Sequence, residues 1–446
     1  MRLWMDSNKI NKGDIFLVND KNKKYVSNAI DNKASLIITE TNDEFDIETK
    51  HVKSIYDYIK EYYQEKIKNI KLIGITGTNG KTTTCYLIYQ MLNMIGVKTA
   101  YIGTIGFYLD DNVISLDNTT PSIDILYNLI MDAKDKNCKV VVMEVSSHAL
   151  KQDRVYGLLF DAIAVTNITQ DHLDYHLTMG DYIKSKKKII HMTKNNKICI
   201  LNKKGKHYKR FINKDNNNFI IGKDIKINLV INDLNGTKII IKDDINKCFN
   251  IPLVGTFNVY NFLYAYYIIK KLGYNVNCIK DKLYLLSEPP GRMQKIKYKN
   301  NVIFVDYAHT PDAVKKVLKT VKKIKNNGII TIVGCGGNRD KTKRPIMAKI
   351  TCKYSSYIIF TNDNPRKENE QEIMKDILKG ASGKYEVIYD RYDAIKRGIE
   401  LLDNNMILMV LGKGHEDYQI IGDKKLHFSD VEVINDIISY KKTLFH

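Results

Sequence analysis

The sequence predicts an α/β chain in three parts: a short N-terminal α/β segment, a central mainly parallel sheet, and a second, C-terminal α/β sheet. Apolar runs at 140–143, 161–165 and 198–201 are continuous rather than alternating, as in strands buried on both faces of a parallel sheet. Another such run, from Lys71, opens into a Gly-rich turn and then an apolar-periodic helix through Ile95. A further strand–helix alternation, with strands expected at 302–305, 329–333, 357–360 and 406–411, follows the turn-forming Glu288-Pro-Pro-Gly-Arg292.

The length of 446 residues suits three domains at about 150 residues each. The boundaries expected are 1–66, 67–294 and 295–446. The first part ends in a charged helical piece at 54–64, and the second carries a polar insert at 223–250 with the look of short antiparallel strands. In the third, a polar cluster follows each strand, where open α/β sheets bind ligands. A hydrophobic content of 44% is ample for real cores. No apolar run approaches the roughly 18 residues of a membrane span, and the opening residues lack the apolar core of a secretory signal. The seven cysteines are scattered and never form a CxxC pair, which points to reduced thiols in a cytoplasm and no structural zinc.

The turn at Gly77-Thr78-Asn79-Gly80-Lys81-Thr82-Thr83 carries the clearest chemistry. Such a turn points backbone N–H groups inward as an anion nest, and the following helix adds the positive end of its dipole. Gly77 and Gly80 permit close approach to phosphates, Lys81 reaches the outer ones and Thr82 offers a hydroxyl to Mg²⁺. Ile75 stands where the general GxxxxGK[ST] template has its first glycine, so the central part is P-loop ATPase-like in a shorter form. Glu144 at the end of the 140–143 strand completes the shell expected for that Mg²⁺. His172 follows the next strand, where ligands gather. The C-terminal part reads as Rossmann-like.

Gly-Thr-Asn-Gly-Lys-Thr at 77–82, Glu-Val-Ser-Ser-His at 144–148 and Asp-His-Leu-Asp-Tyr-His at 171–176 resemble the motifs of the Mur ligase family, ATP-dependent amide-forming enzymes of peptidoglycan synthesis. Gly255-Thr-Phe-Asn-Val-Tyr-Asn261, Gly291-Arg-Met293 and Asp306-Tyr-Ala-His-Thr-Pro311 extend the likeness towards the C-terminus. It is strongest to the MurE-type, tripeptide-forming branch. The resemblance implies ATP and two Mg²⁺ ions, with Lys81, Glu144, His172 and Lys186 at the centre of the chemistry and Lys186 carbamylated as a metal ligand beside Thr82, Glu144 and His172. It implies ATP contacts at Asn258, Asn261, Arg292 and Asp306. UDP-MurNAc-L-Ala-D-Glu would meet Ser7, Asn118, Thr119, Thr120, Ser146, Gln152 and Arg154. Asn8 stands where the family usually has arginine, and the stretch after Val18 is shorter than in typical members. Meso-diaminopimelate would meet Arg339, Asp363, Asn364, Pro365, Arg366, Gly412 and Glu416. Asp-Asn-Pro-Arg is the diaminopimelate-type cluster, and a guanidinium suits the second carboxylate that lysine lacks.

Lysine-adding, tripeptide-recycling and folylpolyglutamate-type ligases are the neighbouring readings, the last disfavoured by Thr82 and Thr83. The net charge of +20 raises a different class, a basic P-loop module on nucleic acid. No zinc-finger spacing or aromatic-basic RNA motif accompanies that charge, so no nucleic acid and no membrane insertion are expected. A cytoplasmic monomer is expected.

Overall fold

In the computed structural model, which describes residues 1–242, 247–324 and 326–443, two large, mainly parallel sheets and three small ones carry the chain. Strands β1 (Leu3–Trp4), β2 (Ile15–Val18), β3 (Leu36–Thr39) and β4 (Thr49–His51) lie parallel in chain order. Every residue of β2 is buried: Ile15 and Leu17 share a core with the helix Ile55–Ile67, while Phe16 and Val18 pack with Val26 and Ala29. Arg2 pairs with Asp132 at 2.6 Å, and Asn128 donates to the Leu3 carbonyl at 2.8 Å. This first sheet is therefore tied to the helix Ile123–Asp135 of the central part.

The central strands are β5 (Lys71–Thr76), β6 (Thr99–Gly103), β7 (Gly106–Leu109), β8 (Asn112–Ile114), β9 (Val140–Glu144), β10 (Phe160–Val165), β11 (Thr193–Asn202) and β12 (Asn217–Ile221). Their order is β12-β11-β10-β5-β9-β6-β7-β8, parallel from β12 to β6, with the last two antiparallel at the edge. Since β5 lies between β10 and β9, the carboxyl ends of all three share one rim of the sheet. Gly74 permits this packing, because a Cβ there would meet the Phe160 ring at 2.9 Å.

The expected polar insert is an antiparallel sheet of β13 (Lys226–Asp233), β14 (Gly236–Lys242) and β15 (Lys247–Ile251), and residues 243–246 lie outside the described residues. The C-terminal strands are β16 (Gln294–Tyr298), β17 (Asn301–Asp306), β18 (Ile329–Val333), β19 (Tyr357–Phe360), β20 (Tyr385–Val387) and β21 (Ile407–Leu411), in the order β16-β17-β21-β18-β19-β20. Only β16 is antiparallel to its neighbour. Along β17, Val302 and Phe304 enter one core and Ile303 and Val305 the other, so the continuous apolar run serves two buried faces. A hairpin of β22 (Tyr418–Ile421) and β23 (Lys424–His427) follows.

Contacts divide the chain into two compact units. The first is Met1–Ile168, His176–Asp224 and Phe262–Ile279; the second is Thr169–Tyr175, Ile225–Asn261 and Lys280–His446. Among the described residues no helix is long and apolar enough to cross a membrane.

Candidate active site

In the first unit, the turn after β5 is held by the end of β10. Gly77 has φ +144°, and a Cβ there would lie 2.0 Å from Thr166 Oγ1, so only glycine fits. Thr78 N–H donates to the Asn167 carbonyl at 2.7 Å and Asn79 N–H to Asn167 Oδ1 at 3.1 Å. Asn167 Nδ2 and Thr166 Oγ1 donate to the Asn79 carbonyl at 2.8 and 2.7 Å. Gly80, at φ +87°, starts the helix Lys81–Met94 in the left-handed conformation that glycine adopts freely. Lys81 Nζ turns back to the Gly77 and Thr78 carbonyls at 3.0 and 2.9 Å, which keeps the ammonium at the lip of the turn. Thr166 and Asn167 were not among the residues expected from sequence. Their role depends on β10 lying beside β5.

Glu144 is fully buried and accepts four hydrogen bonds: from Tyr101 Oη at 2.6 Å, Thr104 N–H at 2.8 Å, Thr104 Oγ1 at 3.2 Å and Thr82 Oγ1 at 3.1 Å. A Cβ on Gly103 would strike its Oε1 at 2.4 Å. The carboxylate is thus fixed beside the Thr82 hydroxyl, a hard oxygen pair of the kind Mg²⁺ prefers. Lys186 is 1% exposed and donates to the Gly77 carbonyl at 2.9 Å, under the Tyr182 ring whose hydroxyl meets Thr78 Oγ1 at 2.9 Å. A carbamylated lysine keeps one N–H for that carbonyl, so the position is compatible with the modification. His172 belongs by its contacts to the second unit; its backbone is left-handed at φ +52° and its Nε2 lies 3.5 Å from Asp171.

The residues expected to meet the UDP substrate largely converge. Thr120 is buried, donates to the Glu144 carbonyl at 2.7 Å and accepts from Ser146 N–H at 3.1 Å. Arg154 reaches the Thr120 carbonyl at 2.8 Å and grips Gln152 Oε1 at 2.6 and 2.9 Å. Thr119 meets Thr104 at 3.1 Å, and Asn118 is exposed. Ser7, in the first sheet, is buried and held by Asn28 at 2.8 Å.

In the second unit, Asn258 and Asn261 are buried and joined at 3.0 Å near the start of the helix Thr256–Lys271. Asp306, at the end of β17, accepts from Met293 N–H at 2.7 Å; burial raises its pKa to about 6, partly offset by Arg292. Burial, helped by Lys343, pushes His309 down to about 4. The loops after β18, β19 and β21 interlock through glycine. A Cβ on Gly337 would meet the Pro365 carbonyl at 1.9 Å and one on Gly412 would meet Asp363 Oδ2 at 2.4 Å. Arg366 Nη1 is fixed by the Gly337 and Asn364 carbonyls at 3.0 and 3.3 Å. A Cβ on Gly336 would touch Arg366 Nη1 at 2.9 Å and the Arg339 side chain at 3.9 Å, so both arginines flank one glycine. Asn364 donates to Glu416 Oε2 at 2.9 Å and accepts from Ile420 N–H at 2.9 Å and from the fully buried Lys413 at 3.3 Å. Burial, reinforced by Asp363, raises the Glu416 pKa, and burial lowers that of Lys413. Lys413 was not expected from sequence, because nothing in Gly-Lys-Gly-His-Glu shows that its lysine turns inward.

A nucleotide-type loop, a fixed carboxylate beside a threonine hydroxyl and a second sheet rimmed with arginines and carboxylates define an ATP-using ligase architecture. Residues 75–269 match the Mur ligase middle domain and residues 291–414 the Mur ligase glutamate ligase domain, and the chain belongs to the Mur ligase family. It is 40% identical over 387 residues to UDP-N-acetylmuramoyl-L-alanyl-D-glutamate--2,6-diaminopimelate ligase 1 of Clostridium acetobutylicum, covering 84% of this chain and 80% of that one. It is 36% identical to the diaminopimelate ligase of Clostridium botulinum, over 98% of this chain and 95% of the relative. A solved diaminopimelate ligase of the same name superposes with a TM-score of 0.70 at 29% identity, covering 99% of this chain and 95% of that one. The MurF ligase of Thermotoga maritima in complex with ADP shares the fold, with a TM-score of 0.71 at 15% identity over 100% and 98% of the two chains.

Proposed function

We propose that the protein is an ATP-dependent ligase that joins meso-diaminopimelate to UDP-MurNAc-L-Ala-D-Glu, a step in building the peptidoglycan precursor. The observation that carries the reading is the Thr82–Glu144 pair, 3.1 Å apart at the mouth of the loop that ends in Lys81. The γ-phosphate of ATP passes to the D-glutamyl side-chain carboxylate, giving an acyl phosphate and ADP. The neutral amine of diaminopimelate then attacks the acyl carbon, phosphate leaves, and the amine's proton is lost to solvent or a nearby base. Transfer of this kind rests on positioning and charge neutralisation. The N–H groups at the start of the helix Lys81–Met94 would cradle phosphates, Lys81 neutralises the outer ones, and Arg292 adds a second positive charge. Thr82 and Glu144 would hold one Mg²⁺, and Lys186 as its carbamate would offer an anionic oxygen to a second; bound Mg²⁺ neutralises phosphate charge. Thr120, Ser146, Gln152 and Arg154 offer hydroxyls, an amide and a guanidinium to a hydroxylated, carboxylated substrate.

Support for diaminopimelate comes from Arg366. Its Nη1 is fixed by two carbonyls, and among the described residues its Nε–Nη2 edge makes no hydrogen bond, leaving the fork that pairs with a carboxylate. Glu416 would take the distal ammonium. The reading includes action in the cytoplasm as a monomer, without nucleic acid. The test is purified protein with ATP, Mg²⁺ and UDP-MurNAc-L-Ala-D-Glu, offered equimolar diaminopimelate and lysine, with products weighed by mass spectrometry. A diaminopimelate tripeptide in large excess is expected; a lysine product in equal or greater amount would overturn the specificity, and no tripeptide would overturn the reaction.

A further inference from the structure

Tyr307 follows Asp306 at the end of β17 and was assigned no role by its sequence. Its ring carries the Arg292 guanidinium on one side, with the guanidinium carbon 4.5 Å from the ring centroid. His309 packs edge-on at 4.6 Å, and the His415 ring lies tilted at 5.0 Å. Its hydroxyl donates to Glu416 Oε1 at 3.3 Å, while Asn364 holds the other oxygen of that carboxylate at 2.9 Å. One side chain therefore touches both the arginine proposed for ATP phosphate and the carboxylate proposed for the incoming ammonium.

The backbone around Tyr307 is built for this contact. Tyr307 N–H donates to the Gly291 carbonyl at 2.9 Å. A Cβ on Gly291, at φ +64°, would fall 2.0 Å from His415 N, and one on Gly414, at φ +57°, would fall 2.7 Å from Tyr307 Cβ. Three segments that bear Arg292, Tyr307 and Glu416 thus press together at two positions where only glycine fits. A cation over an aromatic face contributes about 0.5–2 kcal/mol according to its desolvation, and the neutral phenol suits a donor role because burial raises its pKa.

We propose that Tyr307 is a positioning residue that serves both half-reactions, seating Arg292 for the ATP phosphate through its ring and Glu416 for the amino acid through its hydroxyl. The inference rests on the ligase reading above. The two contacts use different parts of the side chain, so two substitutions separate them. Tyr307→Phe keeps the ring and removes only the hydroxyl. It is expected to raise the KM for diaminopimelate about tenfold, the loss of one hydrogen bond to a charged group, while KM for ATP and kcat stay within about twofold. Tyr307→Leu removes the ring as well, and is expected to add a rise in KM for ATP or a fall in kcat. Steady-state kinetics of the full chain, varying ATP and diaminopimelate in turn, reads both, with thermal melts confirming that each variant is folded. The Phe variant is nearly isosteric and tests the hydroxyl role even if the Leu variant melts early. An unchanged KM for diaminopimelate in Tyr307→Phe, or equal changes in both KM values in that variant, would overturn the proposal. The wild-type rate in the same assay reports separately on the ligase reading.

Discussion

Lys186 and Arg366 are fixed in different ways, and each way has a measurable consequence. Lys186 is buried with its Nζ on the Gly77 carbonyl. An amine adds CO₂ only in its neutral form, and the carbamate that results is an anionic oxygen ligand. Protein incubated with ¹³C-bicarbonate should show a carbamate carbon by NMR that Lys186→Ala lacks. The same variant should lose most ligase activity and regain part of it with a short carboxylic acid; full activity without the lysine would end the assignment. Among the described residues the Nε–Nη2 edge of Arg366 makes no hydrogen bond, and a charge-assisted bidentate pair there contributes roughly 1.5–3 kcal/mol, or one to two decades of affinity. Arg366→Ala should raise KM for diaminopimelate by about that factor, shrink the preference over lysine and leave KM for ATP nearly unchanged. A preference unaltered by the substitution would move the second carboxylate to another residue.

At the scale of elements, the end of β17 carries a titratable group out of its ordinary range. Asp306 has a folded pKa of about 6 against 3.8, because burial outweighs Arg292. Between those values the folded chain keeps a proton that the unfolded chain has released. Stability therefore falls as pH rises through that window, and the deficit is complete at pH 7. The shift corresponds to a deficit on the order of 3 kcal/mol. Asp306→Asn keeps an acceptor for Met293 N–H without the charge, so it should raise Tm at pH 7, with the gain fading near pH 4. An equal gain at both pH values would refute the buried-charge account. Asp306 itself was legible in sequence, as were the turn at 77–83, the helix behind it and the major strands, because Gly-rich punctuation and continuous apolar runs are local signals. The braces were not legible. Thr166 and Asn167 act on the turn only because β10 neighbours β5, Tyr101 reaches Glu144 only because β6 neighbours β9, and Lys413 meets Asn364 only because β21 and β19 flank β18. Strand order is set by packing over distances that no local pattern encodes.

For the whole molecule, the net charge of +20 raises nucleic acid as a partner, and ion pairing within the fold takes up part of that charge. Residues 182–214 hold twelve Lys or Arg and no Asp or Glu, the strongest basic stretch relevant to such a partner. Within it Lys186 is buried, Lys188 pairs with Asp153 at 2.9 Å and Lys194 with Asp161 at 2.9 Å. Elsewhere lysines pair with acids across both units, as in Lys98–Asp110 at 2.8 Å and Lys367–Asp423 at 2.8 Å. Surface charges are screened beyond about 8 Å at physiological ionic strength, so what remains of the basic stretch acts only at short range. RNA should therefore bind weakly, with affinity that collapses as salt rises. ATP turnover at about 0.15 M salt should depend on UDP-MurNAc-L-Ala-D-Glu and diaminopimelate and remain unchanged when RNA or DNA is added. Turnover measured with each component omitted in turn decides the matter. Stimulation by nucleic acid in the absence of the UDP substrate would mean that the phosphate loop serves a nucleic-acid-dependent ATPase, whereas strict dependence on the two ligation substrates places the basic charge outside the reaction.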